Sequence, residues 1–328
     1  MANAPRAMIL AAGLGTRHGD LSGSRPNPMQ PLCGVPLCRW VALWLRSQGV
    51  REVVVNLHHL GEQIEAELGD GRALGMAIVY SREAPEILGT GGGVRRARDL
   101  LCDGSGAPVV VVNGKILLDL ELAPVLALHR ERGAEATMVL RPDPEAARWG
   151  SLRVDERGEV VEFLGEARAG GAPGEALMFT GVQVLAPQFI DRIPAEGAPC
   201  IVRTAYRDLF RGGGRFAGFV TRRYWWEHSN VERYLAGLRN VLDGAAALTY
   251  AERPLRGVDS SARIARSAVI LPPVWIGRDV VVGEGARVGP HVELGDGVSV
   301  GDGVVVRDAI AWPGARIHAD VVHAVVRG

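Results

Sequence analysis

From Val258 onward, aliphatic residues recur at every sixth position without a gap. A repeat of this length holds only one short strand and one turn, so each unit can bury its aliphatic side chain only in a core shared with other units. Glycine, present at one register position in five of the units, permits the tight turn. The repeat comprises Val258, Ile264, Ile270, Ile276, Val282, Val288, Leu294, Val300 and Val306, a second register at Ala262, Ala268, Val274, Val280, Ala286, Val292, Val298 and Val304, and glycines at Gly277, Gly283, Gly289, Gly295 and Gly301.

These units resemble the hexapeptide repeats of left-handed parallel β-helices, in which three hexapeptides form one triangular coil. The nine repeats predict three coils, and the less regular segment Ala309–Val326 predicts a fourth. We assign residues 247–328 to this domain. Stacked coils leave a flat face and an open end that a neighbouring subunit can cover, so we expect a homo-oligomer formed through the β-helix.

Residues 1–246 show a different pattern, in which short β-branched runs alternate with amphipathic segments. This alternation predicts βαβ units and a largely parallel sheet, with ligands bound beyond the carboxyl ends of the strands. The predicted strands are Met8–Ala12, Glu52–Leu57, Met76–Ser81, Val109–Asn113, Ala136–Arg141, Ser151–Val154, Gly181–Leu185 and Ala217–Thr221, and the predicted helices are Cys38–Gln48, Leu60–Leu68, Gly92–Leu101, Leu122–Arg130 and Asn230–Leu242. The glycine-rich segment Ala167–Ala176 is either a flexible loop at the mouth of the site or an ordinary surface loop.

Charge and cysteine content exclude several classes of function. The 37 basic and 37 acidic residues balance, so no overall field attracts nucleic acid or an anionic membrane. No stretch approaches the roughly 20 apolar residues of a membrane span. The four cysteines show neither a CxxC pair nor zinc-ligand spacing and are typical of reduced thiols, so we expect a cytoplasmic protein with no nucleic-acid or membrane partner.

A glycine-rich turn follows the first predicted strand, within Leu10–Arg17. Glycine lets backbone N–H groups approach phosphates closely, and Arg17 can pair with phosphate oxygens in a bidentate way. A turn of this kind is also found in proteins that bind no phosphate, so the flanking residues decide its meaning.

The segment Arg17–Gly34, followed by Val35-Pro36-Leu37, resembles without a gap the signature of sugar-1-phosphate nucleotidyltransferases. Further matches follow in the family's order, in Asn56–Leu60, Ile87–Gly93, Val112–Gly114 and Phe179–Gly181. The resemblance covers Met8 to about Leu242, and β-helical repeats follow it in the same families. It implies a Rossmann-like α/β nucleotidyltransferase domain followed by a short left-handed β-helix. The implied reaction transfers a nucleotidyl group from a nucleoside triphosphate to a sugar 1-phosphate, giving a nucleoside diphosphate sugar and pyrophosphate.

The resemblance also implies a set of binding residues. The nucleotide would contact Leu10, Ala12, Gly13, Leu14, Gly15, Thr16, Leu88, Gly89, Thr90, Asn113 and Gly114, and the sugar would contact Gly92, Glu162, Phe179 and Gly181. Arg17 would act on the phosphates. Catalysis of this kind consists of positioning and charge neutralisation by basic groups and by carboxylates that hold Mg²⁺.

The residues that should carry the charge depart from the family pattern. Asn27, between Pro26 and Pro28, replaces the lysine that contacts the sugar phosphate, and Lys115 replaces the aspartate that binds the metal. Glu227 corresponds to the second metal-binding carboxylate. The resemblance implies Mg²⁺ as cofactor, but an ammonium at residue 115 repels a divalent cation. We therefore take Arg17, Asn27 and Lys115 as candidate catalytic residues and Glu227 as the candidate metal ligand.

Three interpretations of these departures remain open. Lys115 can replace the metal as the positive charge that neutralises the triphosphate. The domain can have lost turnover and bind a nucleotide or nucleotide sugar as a regulatory or scaffold subunit. The two residues can also be deliberate inactivating substitutions in an otherwise ordinary enzyme.

Other residues allow further interpretations. Acyltransferases use the same repeat with a catalytic histidine, and His291 is the histidine within the regular coils, although no long insertion interrupts the repeat near it. His58 and His59 either face substrate or pack on the following helix. Trp225 and Trp226 either stack on a base or lie in the core beneath the last helix of the domain.

Overall fold

A computed structural model describes residues 4–15, 21–144, 146, 150–168 and 175–328 of the chain. These residues form two compact units that alternate along the sequence. The first unit consists of Met1–Leu14, Val41–Gly114 and Leu120–Trp225, and the second of Gly15–Trp40, Lys115–Asp119 and Trp226–Gly328. The sequence-based domain boundary after residue 246 stays a prediction.

The strands are short, and most of them follow the predicted positions within a few residues. Their bounds are β1 (Ala7–Leu10), β2 (Pro31–Leu32), β3 (Val35–Pro36), β4 (Glu52–Leu57), β5 (Ala77–Arg82), β6 (Val109–Asn113), β7 (Ile116–Leu118), β8 (Ala136–Pro142), β9 (Leu152–Val154), β10 (Val160–Phe163), β11 (Glu166–Ala167), β12 (Leu177–Leu185), β13 (Phe216–Val220), β14 (Trp225–Glu227), β15 (Gly257–Val258), β16 (Arg263–Ile264), β17 (Val269–Ile270), β18 (Val274–Ile276), β19 (Val281–Val282), β20 (Arg287–Val288), β21 (Val292–Leu294), β22 (Ser299–Val300), β23 (Val305–Ala311), β24 (Arg316–Ile317) and β25 (Val321–Val326).

The helices are α1 (Leu21–Ser24), α2 (Leu37–Ser47), α3 (Gly61–Leu68), α4 (Gly89–Arg96), α5 (Arg98–Leu101), α6 (Leu122–Glu131), α7 (Pro187–Asp191), α8 (Arg207–Arg211) and α9 (Val231–Asp243). The single helix predicted over Gly92–Leu101 is therefore wrong in its bounds, because helix formation starts at Gly89 and is interrupted at Ala97. None of the helices in the described part of the chain has the length and apolar character that a bilayer crossing requires.

The first unit is built on a ten-stranded mixed sheet, with one parallel half and one mainly antiparallel half in which β13 is parallel to β8. β1 lies between β4 and β6 and is parallel to both, and β5 continues the parallel half beyond β4. β12 runs antiparallel to β6, β8 and β9 and so joins the two halves. Residues 169–174 of the glycine-rich segment Ala167–Ala176 lie outside the described residues.

In the second unit, β15 to β24 form the predicted coils. Partner residues in the first three coils lie eighteen positions apart, as Gly257 opposite Trp275 and Trp275 opposite Glu293 show. Three hexapeptides thus make one turn. From Val274 onward both aliphatic registers are buried in one core, whereas the first coil is partly buried and Val258 is exposed. The tail adds the fourth coil with a shorter spacing, since Ser299 pairs with Arg316.

The β-helix also contains a buried carboxylate. Glu293 on β21 is 1% exposed, and its two oxygens accept the backbone N–H groups of Cys33 at 2.8 Å and Gly34 at 2.9 Å. Burial raises the pKa of Glu293 from 4.5 to about 7, although the two N–H groups oppose this rise by stabilising the charged form.

This raised pKa predicts a pH dependence of stability. From pH 4.5 to about 7, the folded chain keeps a proton on Glu293 that the unfolded chain has lost, so the free energy of unfolding falls as the pH rises. The fall is on the order of 3 kcal/mol, at about 1.4 kcal/mol per pKa unit. Urea unfolding of Glu293→Gln across this range should show a flatter pH profile than wild type.

Glu284→Gln provides the control, because Glu284 is an exposed glutamate on the same β-helix. It should keep the wild-type profile. If Glu293→Gln and wild type lose stability equally between these pH values, the buried carboxylate does not have the raised pKa.

Candidate functional site

In the first unit, the carboxyl ends of three parallel strands lie at one edge of the sheet. Leu10, the last residue of β1, lies opposite Asn56 of β4 and Asn113 of β6. The chain leaves β1 at this edge and reaches the exposed pair Gly13–Leu14. The predicted glycine-rich loop therefore begins where parallel sheets bind their ligands. The predicted Thr16 and Arg17 lie outside the described residues.

A buried amide and a buried carboxylate hold the start of this loop. Asn56 Oδ1 accepts the N–H of Ala11 at 2.7 Å, and Asn56 Nδ2 donates to Glu83 Oε1 at 2.7 Å. Glu83 Oε2 accepts the N–H of Leu88 at 2.7 Å, at the N-terminus of α4. Because Asn56 and Glu83 are each 3% exposed, water does not compete for these bonds. One hydrogen-bond network thus fixes the glycine-rich loop and the start of α4.

Two neighbours of this network confirm how closely it is packed. A Cβ atom on Gly93 of α4 would lie 2.5 Å from Glu83 Oε1 and 2.9 Å from Asn56 Nδ2, so only glycine fits. His58 Nδ1 lies 2.8 Å from the carbonyl oxygen of Glu83. One ring nitrogen of His58 is therefore engaged with the backbone of this network.

The residues predicted to line the nucleotide at Leu88–Thr90 lie at the N-terminus of α4. Leu88 and Gly89 are half-buried, and Thr90 is exposed. Thr90 Oγ1 accepts the N–H of Ile201 at 3.1 Å, so this hydroxyl already has a structural role. Gly92, predicted to contact the sugar, is half-buried in the same helix.

Asn113, predicted to contact the nucleotide, and Gly181, predicted to contact the sugar, lie next to each other. Gly181 has a φ of 81° at a bulge in β12, and a Cβ atom there would lie 2.3 Å from Asn113 Nδ2. A side chain at residue 181 would therefore displace the Asn113 amide. Phe179 is half-buried on the same strand. Glu162 is paired with Arg153 at 2.8 Å, so a sugar hydroxyl would share its carboxylate with this guanidinium.

In the second unit, Lys115 and Glu227 form an ion pair. Lys115 Nζ lies 3.2 Å from Glu227 Oε1, and each side chain is 20% exposed. The backbone on both sides is held in place, because β7 pairs with β14 and the His228 N–H donates to the Lys115 carbonyl at 3.1 Å. Arg233 of α9 donates to the Glu227 carbonyl at 2.9 Å.

The neighbouring tryptophans are engaged in packing. Trp225 is 7% exposed, and Trp226 lies under the Arg233 guanidinium, 4.2 Å from the ring centroid. These contacts favour the core interpretation of both rings over base stacking.

Asn27 lies in a short 3₁₀ turn, Asn27–Met29, and is only 5% exposed. Its Oδ1 accepts a long hydrogen bond of 3.5 Å from Gln30 Nε2. The turn leads directly into the hairpin formed by β2 and β3. Asn27 is therefore held by its own segment, in a buried setting where an uncompensated lysine would be costly.

Comparison with known proteins identifies the family to which this chain belongs. Residues 6–167 match the family model for nucleotidyl transferases, and residues 273–308 match the model for the bacterial transferase hexapeptide, as six repeats. Mannose-1-phosphate guanylyltransferase of Mycobacterium tuberculosis is 31% identical over 281 residues, which cover 84% of this chain and 76% of that protein. The chain belongs to the nucleotidyl transferase family.

Two further relatives agree with this assignment. UTP–glucose-1-phosphate uridylyltransferase of Synechocystis is 31% identical over 252 residues, 72% of this chain, and the match spans 63% of that protein. The crystal structure of HddC from Yersinia pseudotuberculosis, complexed with GMP-PN, has a TM-score of 0.57 and 24% identity, covering 71% of this chain and 97% of that one. At this identity the second likeness concerns the fold alone.

Nucleotidyl transferases commonly use Mg²⁺, but the donor set of this family member does not fit a divalent cation. The described residues contain no cluster of three or more His, Cys, Asp or Glu side chains that could hold a metal ion. The carboxylate of Glu227 lies beside an ammonium at 3.2 Å, where Mg²⁺ would need oxygen ligands. We therefore derive no catalytic step through a metal.

Sequence reasoning missed the residues that position this nucleotidyl transferase loop. Asn56 was part of a recognised motif, yet its bond to Ala11 gave no local signal. Glu83 lies between Arg82 and a proline-containing loop, without any pattern that points to Leu88. Both contacts join segments far apart in the chain, so only the fold reveals them.

The Asn56–Glu83 network predicts the effect of removing one charge. Glu83→Gln replaces a carboxylate oxygen with an NH₂ group, which must then face the N–H of Leu88 or the NH₂ of Asn56. We expect a loss of about 2 kcal/mol of unfolding free energy, the range for hydrogen bonds to a charged group. Urea denaturation at constant pH measures it.

Glu86→Gln is the matched control, because Glu86 is exposed in the same loop. It should change the unfolding free energy by less than about 0.5 kcal/mol, as surface substitutions usually do. Equal effects of the two substitutions would show that Glu83 does not hold the loop.

Proposed function

We propose that this chain transfers a nucleotidyl group from a nucleoside triphosphate to a sugar 1-phosphate. The observation that carries the proposal is the network in which Asn56 and Glu83 hold the glycine-rich loop at the carboxyl end of β1. A buried network at this edge supports a preorganised phosphate site. The relatives' names, which specify guanylyl and uridylyl transfer to sugar 1-phosphates, support the substrate class.

In the proposed reaction, a phosphate oxygen of the sugar 1-phosphate attacks the α-phosphorus of the triphosphate. A new P–O bond forms, the bond from the α-phosphorus to the bridging oxygen breaks, and pyrophosphate leaves with the electron pair. No protein group needs to form a covalent bond. The protein contributes position and positive charge, and we assign the nucleotide contacts to the loop after β1, to Leu88–Thr90 and to Asn113–Gly114.

Lys115 is the proposed source of positive charge. It is the only lysine among 328 residues, whereas the other 36 basic residues are arginines. An arginine would serve an ordinary ion pair in this arginine-rich chain. The single lysine therefore supports a need for a compact ammonium, which approaches a phosphate as a point charge.

A silent binding subunit is the second candidate, and the Lys115–Glu227 pair is the observation that favours it. Because Lys115 Nζ and Glu227 Oε1 are only 3.2 Å apart, their opposite charges largely cancel as seen from a phosphate group farther away. The pair therefore attracts a phosphate less strongly than a divalent cation would. In this alternative the chain binds a nucleotide or nucleotide sugar without turnover.

Pyrophosphate release over a panel of triphosphates and sugar 1-phosphates separates the two candidates. We expect release with at least one pair, and a fall of about 100-fold or more in Lys115→Met, the usual effect of removing one preorganised donor. Lys115→Arg, which keeps the charge, should be the less damaging substitution. Absence of release with every pair, together with thermal stabilisation by a nucleotide, would support the silent subunit.

Chemical labelling tests the position of Lys115 separately. A lysine-directed reagent can modify only this side chain and the N-terminal amine, so mass spectrometry assigns the product without ambiguity. We expect the correct triphosphate to slow labelling of Lys115 but not of the N-terminus. Equal labelling with and without every triphosphate would remove Lys115 from the phosphate site.

The double variant Asn27→Lys with Lys115→Asp restores the family pattern. If the silent account is correct, this variant should gain Mg²⁺-dependent pyrophosphate release that wild type lacks. If wild type is itself an enzyme, the double variant should change its metal dependence.

We also propose a homo-oligomer formed through the β-helix and a cytoplasmic location.

A third reaction, acyl transfer at His291, has less support. His291 Nε2 lies 2.8 Å from Asp243 Oδ1, so the ring is engaged in a pair with α9. Pairing of the coils continues on both sides of it, through β20 and β21.

A further inference from the structure

The hairpin that follows Asn27 is held by the β-helix at its tip. β2 and β3 pair through Leu32 and Val35, so Cys33 and Gly34 form a two-residue turn. Both turn residues have positive φ, 49° and 69°, as in a type I′ turn. For Cys33 this conformation is strained, since in the left-handed region the Cβ atom crowds the following carbonyl oxygen. Such a conformation persists only where its surroundings enforce it.

Glu293 supplies that enforcement. Its Oε2 accepts the N–H of Cys33 at 2.8 Å, and its Oε1 accepts the N–H of Gly34 at 2.9 Å. One carboxylate thus satisfies both donors of the turn, 259 or more residues away in the chain. Trp275, the neighbour of Glu293 in the coil register, covers Gly34 so closely that a Cβ atom there would lie 2.3 Å from the ring.

The rest of the hairpin is anchored by three aromatic side chains. The Tyr234 hydroxyl of α9 donates to the carbonyl of Pro31, and Trp312 Nε1 donates to the Tyr234 oxygen at 3.3 Å. Trp40 Nε1 donates to the carbonyl of Leu32 at 3.0 Å. The backbone of the hairpin therefore has side-chain partners along β2 and at its tip.

The hairpin connects the segment that contains Asn27 to α2. Its upstream end is the 3₁₀ turn that holds Asn27, and the Leu37 N–H donates back to the Gln30 carbonyl at 3.1 Å. We therefore expect a change at the tip to alter the position of Asn27, which stands in place of the family's sugar-phosphate lysine.

We infer that Glu293 is a positioning residue that makes the β-helix part of the sugar-phosphate site, by fixing the Pro31–Pro36 hairpin and thereby Asn27. The inference rests on the proposed function for the identity of the ligand. It assigns the β-helix a role within its own chain, in addition to any role in assembly.

Ionisation of Glu293 should be visible in the hairpin, because the carboxylate is a stronger acceptor than the carboxylic acid. The titratable groups that face it are the Cys33 thiol and the Tyr234 hydroxyl, whose pKa values are both raised by burial and by Glu293. Two cations oppose these rises: the charge of Arg256 lowers the pKa of Cys33, and the charge of Arg25 lowers the pKa of Tyr234. Neither thiol nor hydroxyl ionises near neutral pH, so a change near pH 7 is attributable to Glu293.

The test compares full-length wild type, Glu293→Gln and the surface control Glu284→Gln by hydrogen exchange and by kinetics. In Glu293→Gln one turn N–H must face an NH₂ group, so exchange at Cys33 and Gly34 should accelerate about tenfold or more. The KM for the sugar 1-phosphate should rise by a similar factor while the KM for the triphosphate stays constant. In wild type alone, protection at these two amides should increase as the pH passes about 7.

If Glu293→Gln fails to fold by circular dichroism, Tyr234→Phe replaces it. This change removes one hydroxyl from the Pro31 carbonyl and keeps the ring, and it should also raise the KM for the sugar 1-phosphate. Unchanged exchange at Cys33 and Gly34 in Glu293→Gln would overturn the clamp. Faster exchange with an unchanged KM would overturn the positioning role.

Failure of the proposed function gives a different result. If wild type turns over no substrate pair, calorimetric titration with glucose 1-phosphate, mannose 1-phosphate and their nucleoside diphosphate sugars replaces kinetics. Weaker binding in Glu293→Gln than in Glu284→Gln would then support the inference for a silent subunit, and equal binding or none by wild type would overturn it. Exchange at the turn amides reports on the clamp in either case.

Discussion

The placement of β1 between β4 and β6 is the constraint on which the candidate site of the first unit depends. Parallel pairing in one register brings Leu10, Asn56 and Asn113 to the same edge of the sheet. Because the three strands end together, one amide, Asn56, can bond to the glycine-rich loop on one side and to Glu83 on the other. A shift of β4 by one residue would turn the Asn56 side chain to the opposite face and break both bonds. The loop geometry is thus set by strand register.

Charge is organised differently from the pattern expected for this family. Mg²⁺ would bring two positive charges to a carboxylate site, whereas Lys115 brings one and is already paired with Glu227 at 3.2 Å. Asn27 brings none, and its burial explains why a neutral side chain is tolerated there. The net positive charge offered by these three residues is therefore zero when Lys115 and Glu227 are both ionised. Turnover would require phosphate oxygens to share the Lys115 ammonium with Glu227. One ammonium would then have to neutralise both the Glu227 carboxylate and the charge that develops on the phosphates.

Periodic features of the sequence predicted the fold well, and contacts between distant residues were not predicted. The six-residue repeat predicted the coils because each inward side chain must recur at that interval, and Val282, Val288 and Val300 are buried accordingly. The glycine-rich turn predicted the end of β1 for a similar local reason. The Asn56–Glu83 bond joins residues 27 positions apart, and the bond from Gly34 to Glu293 joins residues 259 apart. No local preference encodes such pairs, because a glutamate within a β-helix repeat is normally an exposed residue.

The buried Glu293 also bears on why a β-helix follows this type of domain. A structural appendage needs no carboxylate in a strand interior, where desolvation opposes the charge and raises the pKa to about 7. This desolvation cost is explained if the ionised carboxylate has a function elsewhere in the chain. Among the described hydrogen bonds, the two oxygens of Glu293 accept only from the strained Cys33–Gly34 turn. Replacing Glu293 with an aliphatic residue would suit the coil better and leave two turn N–H groups without acceptors. Glu293 therefore serves the hairpin at the expense of packing within its own coil, which is the pattern expected of a part that contributes to a site.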